Sequence, residues 1–141
     1  MARRHQRGKR TIRPYRQLPV EVIRAPQFRA LSGTAVKVLL YLLSQYTGSN
    51  NGNLQAGQTE AASAEIGVSS RAVKAAIKEL KDTGFITVSR QGGKNRCSLY
   101  ALTFFAVDDC GGILDIPATH TFTDDWKKPS ENELASFAKT V

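Results

Sequence analysis

The stretch that most restricts what this chain can fold into is residues 69–82, Ser-Ser-Arg-Ala-Val-Lys-Ala-Ala-Ile-Lys-Glu-Leu-Lys-Asp. On a helical wheel, Arg71, Lys74, Lys78 and Lys81 fall within an arc of about 80°. Val73, Ala76, Ile77 and Leu80 lie on the other side, so one face suits a core and one suits solvent. The only acids on this helix, Glu79 and Asp82, sit off the centre of the cationic arc. Ser69 is placed to cap the helix, and Thr83-Gly84 to end it, since glycine accepts the left-handed conformation past a C-terminus. Residues 58–66 read as a shorter, alanine-rich helix that Gly67-Val68-Ser69 breaks. Two helices joined by a three-residue turn containing glycine form a helix-turn-helix pattern. Ala61, Ala62 and Ala64 are small enough to let the two helices approach closely.

Flanking segments extend the pattern. Ser32 precedes Ala35, Val38, Leu39, Leu42, Leu43 and Tyr46, whose spacings of three and four predict a helix over 33–46 capped by that serine. The run 48–53, Gly-Ser-Asn-Asn-Gly-Asn, ends it as a tight loop of residues that tolerate positive φ. Residues 18–23 read as short and extended. After the cationic helix, residues 85–89 alternate in β-favouring types, 91–95 form a turn, and 97–102 give a second strand. The hairpin carries Arg90, Lys94 and Arg96 on its tip and shoulders.

Charge separates the chain into parts. The 141 residues carry a net charge of +8, but residues 1–106 hold seventeen basic and five acidic side chains, and residues 107–141 hold three and seven. A basic surface facing a polyanion, with an acidic extension facing elsewhere, is the expected consequence. Residues 1–16 contain Arg3, Arg4, Arg7, Lys9, Arg10, Arg13 and Arg16 with almost nothing apolar, which predicts a disordered arm. Such an arm condenses onto phosphates with counterion release, and fully extended it reaches roughly 50 Å. In the extension, Ser130-Glu131-Asn132-Glu133 is a capping box before Leu134 and Phe137, so a short terminal helix is expected. Trp126 stands among charges and reads as exposed. With Phe137 it offers a small handle for a homodimer.

From Leu31 to about Leu102, roughly half the chain, the sequence resembles winged-helix domains of bacterial transcription regulators and of phage and plasmid replication proteins. The residues that carry the resemblance are Leu31-Ser32 with Val36, Val38 and Leu39, then Ala64-Glu65-Ile66-Gly67-Val68-Ser69-Ser70-Arg71-Ala72-Val73. The phrase Glu79-Leu80-Lys81-Asp82-Thr83-Gly84-Phe85-Ile86 is similar to the exit of a recognition helix into a wing. Tyr46-Thr47-Gly48-Ser49-Asn50-Asn51-Gly52 is similar to a loop in small helix-turn-helix proteins of proteobacterial mobile elements. The resemblance implies an α+β winged helix-turn-helix, mainly helical with a C-terminal β-hairpin wing. It implies no enzymatic activity or ligand.

Other functions find less support in the residues. There is no apolar run of about 18 residues, hence no expected membrane span, and no apolar core of a secretory signal. Cys97 and Cys110 form no CxxC, and His5 and His120 lie in opposite tails, so neither a zinc site nor a Cys–His nucleophile is expected. The pairs Asp108-Asp109 and Asp124-Asp125 lie in expected loops, whereas a catalytic hard cation needs carboxylates converging from separate rigid elements. The expectation is therefore a non-enzymatic, cofactor-free protein of the bacterial cytoplasm that binds double-stranded DNA. Residues 17–106 form its domain, flanked by the 1–16 arm and the 107–141 extension. Ser70, Arg71 and Lys74 would reach base edges, Lys78 and Lys81 would meet phosphates, and Arg90, Lys94 and Arg96 would anchor the hairpin. Regulation of transcription on a mobile element is the first role, origin binding in replication or partition the second. RNA binding and a protein–protein adaptor remain open; the hairpin tip has no aromatic side chains for stacking on single strands.

Overall fold

The computed structural model describes residues 13–57 and 60–128. It is α+β, with five helices and one two-stranded antiparallel sheet among the described residues. The helices are α1 (Val20–Arg24), α2 (Pro26–Arg29), α3 (Gly33–Ser44), α4 (Glu60–Ile66) and α5 (Ser70–Asp82), followed by β1 (Ile86–Arg90) and β2 (Leu99–Leu102).

The two long helices follow their periodicity. On α3, Ala35, Val38, Leu39, Leu42 and Leu43 are buried, and on α5, Val73, Ala76, Ile77 and Leu80 are buried. These faces pack against each other and against Phe85 and Leu102 to make the core. Each large apolar side chain so enclosed contributes about 1.5–3 kcal/mol. Both expected caps are present: Ser32 Oγ accepts from the Ala35 amide and Ser69 Oγ from the Ala72 amide. Gly84 follows α5 at φ +84°, and a Cβ there would lie 2.5 Å from the Asp125 carbonyl oxygen. Glycine is thus required at this stop both for its backbone and for the close passage of another segment.

Several expectations are corrected. Residues 20–24 are helical, not extended. A five-residue helix is far too short to hold itself together, and this one depends on burial of Val22; an exposed ion pair from Glu21 to Lys127 at 2.6 Å adds at most about 1 kcal/mol. Helix α3 stops at Ser44, short of Tyr46, where the backbone tightens so that the Gln45 N–H donates to the Leu42 carbonyl and the Tyr46 N–H to the Leu43 carbonyl. The Gln45 side chain then donates through Nε2 to the Gln55 carbonyl and accepts through Oε1 from the Gln55 N–H, while Asn50 Nδ2 donates to the Gln45 carbonyl. In α4, Ala61 and Ala64 are exposed, and Ser63 and Ile66 face inward. Ile66, the apolar residue that needs burial, sets the phase. The ladder runs over 86–90 and 99–102, shifted from 85–89 and 97–102, with an irregularity between Val88 and Arg90. Beyond it, Gly93 and Arg96 exchange backbone hydrogen bonds around Lys94 and Asn95, and Asn95 takes φ 60°. Leu54 adds a single bridge to Tyr100 on the free side of β2.

The segment after 106 returns along this body. Asp115 N donates to the Ser89 carbonyl, Thr119 N to Val107 and Asp124 N to Thr103. Trp126 is buried, 3% exposed, with its ring parallel to Phe85 at 5.8 Å. It therefore offers no handle for a homodimer: a large aromatic surface next to a buried Phe is worth more inside than in water. The capping box at 130–133, with Leu134 and Phe137, lies outside the described residues, as do Arg3, Arg4, Arg7, Lys9 and Arg10.

The 48–53 loop does more than end α3: it organises this end of the molecule. Asn51 is wholly buried. Its Nδ2 donates to the carbonyls of Leu102, Phe105 and Ala106, and its Oδ1 accepts from the Leu102 amide. Its own amide donates to Asp108 Oδ2. The side chain stitches the 48–53 loop to the end of β2.

Candidate nucleic-acid interface

Because Val73, Ile77 and Leu80 are drawn into the core, Arg71, Lys74, Lys78 and Lys81 are turned to solvent. All four line one groove of about 560 Å³ with Ala75, Ile77, Gln91, Ser98 and Tyr100. The helix supplies one wall and the base of the hairpin the other. Ser70, the first residue of α5, is exposed at its N-terminus.

The acids of α5 do not counter this charge. Glu79 is turned away to the start of α3, accepting from the Ser32 amide at 2.8 Å and the Ser32 hydroxyl at 2.9 Å. Asp82 pairs with Lys78 at 3.1 Å, but both side chains are well exposed. Such a pair is worth about 0–1 kcal/mol, so Lys78 is readily surrendered to a stronger anion.

The hairpin cations divide. Lys94 is exposed at the tip. Arg96 lines a separate cleft of about 310 Å³ with Gly57, Gly92, Gly93 and Cys97, and this cleft shares Ser98 and Tyr100 with the main groove. Arg90 is half-buried and donates through Nη2 to the Cys97 carbonyl at 3.3 Å, while its Nε is buried without a hydrogen-bond partner. Part of Arg90 thus holds the hairpin together and is not free for a ligand. Arg13 and Arg16 are exposed, but Arg16 contributes to different clefts, with Tyr15.

Three polar groove residues escaped the sequence. Gln91, Ser98 and Tyr100 arrive because β2 returns beside α5, and only Tyr100 gave any signal, as an aromatic in a strand. Burial pushes the Tyr100 phenol above its ordinary pKa, so it is a hydrogen-bond donor near neutral pH. Outside the groove, Lys37 Nζ lies 3.2 Å from where a Gly67 Cβ would sit, placing a cation over the turn between α4 and α5. Asp115 braces the hairpin from outside, accepting from the Gln91 amide at 2.9 Å.

The aspartate pairs after β2 lie outside this groove. Asp108 holds the Asn51 amide, Asp124 and Asp125 pair with Lys127 and Lys128, and no group of three or more potential metal ligands occurs among the described residues. Burial, with Asp108 and Asp109 nearby, pushes the Cys110 thiol up, opposite to the shift of a reactive cysteine. No described helix is long and apolar enough to cross a membrane.

The phase of α5 can be checked inside the helix. Ile77→Ala is expected to cost roughly 2–5 kcal/mol through lost burial and a cavity. Lys78→Ala is expected to leave stability within about 0.5 kcal/mol. Denaturant titration of both variants measures this; a destabilised Lys78 variant beside a neutral Ile77 variant would mean that the helix is rotated. The chain matches no family model, no curated protein and no solved structure.

Proposed function

We propose that the protein binds double-stranded DNA as a winged helix-turn-helix, with α5 as recognition helix and the β1–β2 hairpin as wing. The observation that carries this reading is the convergence of Arg71, Lys74, Lys78 and Lys81 in one groove from which the acids of α5 are excluded or weakly held. A helix of this diameter suits a major groove about 12 Å wide. Ser70, Arg71 and Lys74, at the N-terminal end, are the base readers; Lys78 and Lys81 meet phosphates. Lys94 and Arg96 carry the wing's charge, and Arg3, Arg4, Arg7, Lys9, Arg10 and Arg13 add backbone contacts. Tyr100 and Gln91 supply neutral donors at the groove wall.

Regulation of transcription on a bacterial mobile element is the first role proposed; the resemblance of residues 31–102 fits regulators and replication proteins alike. Origin binding in replication or partition uses the same interface. Neither assignment involves catalysis or a cofactor.

Selection of bound DNA from a random library tests the function. Palindromic half-sites about one helical turn apart fit a dimeric regulator, and tandem repeats fit an origin binder. On the selected site, Arg71→Ala is expected to cost about 1–3 kcal/mol and to relax preference at one or two positions. Lys94→Ala is expected to weaken selected and scrambled duplexes alike. Failure to enrich any sequence, together with equal behaviour of the two variants, would defeat the base-reading assignment.

A further inference from the structure

A second surface, away from the cationic groove, has the composition of a base-stacking site. A cleft of about 370 Å³ is lined by Tyr15, Arg16, Tyr46, Thr47, Gly48 and Phe105, among others. Its volume is within the range of about 300–1,000 Å³ that holds small organic groups. Tyr46 and Phe105 stack with centroids 4.7 Å apart and planes 25° from parallel, forming a half-buried shelf. Tyr15 is 69% exposed, a high value for an aromatic ring. A Cβ on Gly48 would meet no atom within 4 Å, so the mouth is open on that side. Tyr15 and Arg16 also line an adjoining cleft of about 320 Å³ with Pro14, Leu43 and the exposed Leu40.

We infer that this surface binds an unpaired base of single-stranded DNA. Aromatic faces accept any base by stacking, while an adjacent arginine holds the flanking phosphate or stacks itself. Arg16 and Arg13 are both exposed, and they continue a sequence segment rich in arginine, which favours a polyanionic strand over an apolar peptide. The two clefts that share Tyr15 and Arg16 provide places for successive bases. The site lies past the end of β2, at Phe105, whereas the cationic groove uses Ser98 and Tyr100 at the start of that strand. A DNA with both duplex and single-stranded parts would engage both.

The test measures binding of the full chain to short oligo(dT), oligo(rU) and duplex DNA. Tyr15→Ala, at an exposed position, is expected to weaken oligo(dT) binding about tenfold or more, and Tyr15→Phe to retain it, because the ring and not the hydroxyl is used. Duplex affinity is expected to be unchanged by either. An equal loss on oligo(dT) and duplex, or a Phe variant as weak as the Ala variant, would overturn the stacking site. Preference for oligo(rU) beyond about tenfold would overturn the assignment to DNA. Lys74→Ala separates the two surfaces: lost duplex binding with an intact Tyr15 effect identifies two sites. A Tyr15 effect without any duplex binding leaves this site standing and defeats the duplex reading alone.

Discussion

Asn51→Leu is expected to destabilise the protein by roughly 3–6 kcal/mol, since removing the amide strands several buried groups at about 1–3 kcal/mol each. The groups are the Leu102 amide and the carbonyls of Leu102, Phe105 and Ala106, which have Asn51 as a partner in the fold. Leucine is of similar size, so the loss is chiefly of hydrogen bonds and not of volume. Against a total stability of about 5–15 kcal/mol, such a change brings a domain of this size to the edge of unfolding. Chemical denaturation of the two proteins measures it, and a cost below about 1 kcal/mol would mean that water substitutes for the amide. Asn51→Asp sharpens the result. Its carboxylate would face the three carbonyls, so the folded pKa rises above the unfolded value of about 3.9. Stability of this variant is then greatest below that value and falls as pH rises through the folded pKa. A variant insensitive to pH across the acidic range would contradict the geometry.

The second large effect is on binding. If Arg71, Lys74, Lys78 and Lys81, with Lys94, Arg96 and the basic arm, neutralise about six to ten phosphates, affinity for duplex DNA is expected to fall about 10³-fold or more between 50 and 200 mM salt. That follows from release of condensed counterions and holds for matched and unmatched sequences. Deleting residues 1–16 is expected to reduce the slope and to weaken all duplexes about equally, while the thermal midpoint stays nearly constant. A flat salt dependence would remove the electrostatic reading of the groove. Loss of folding on deletion would instead assign a structural role to the segment, which includes Tyr15 and Arg16 against the end of α3.

Much of the scaffold was legible in the sequence because its signals are local. The phase of α5, the caps at Ser32 and Ser69 and the stop at Gly84 depend on residues three or four positions apart. A period of 3.6 therefore declares them, as it declares the cationic face of α5. The hairpin's existence was equally plain from its alternation, though not its register, which shifts at an irregularity that no alternation encodes.

What only the tertiary structure decided is where chain segments distant in sequence meet. Trp126 among charges looks exposed until Phe85 is found parallel to it. Residues 20–24 look extended until Val22 has a core to enter and Glu21 has Lys127 to meet. Asn51 looks like a turn residue, and its partner Leu102 lies 51 positions away. That Gln91, Ser98 and Tyr100 form the groove's second wall is set by where the hairpin folds back, which its alternation does not encode. The sequence determined which face of α5 is charged, since amphipathicity is a property of one helix. Where that face lies relative to the hairpin, and that Tyr15 adjoins Tyr46 and Phe105, was decided by packing, because burial of an isolated side chain depends on what the rest of the chain brings to it.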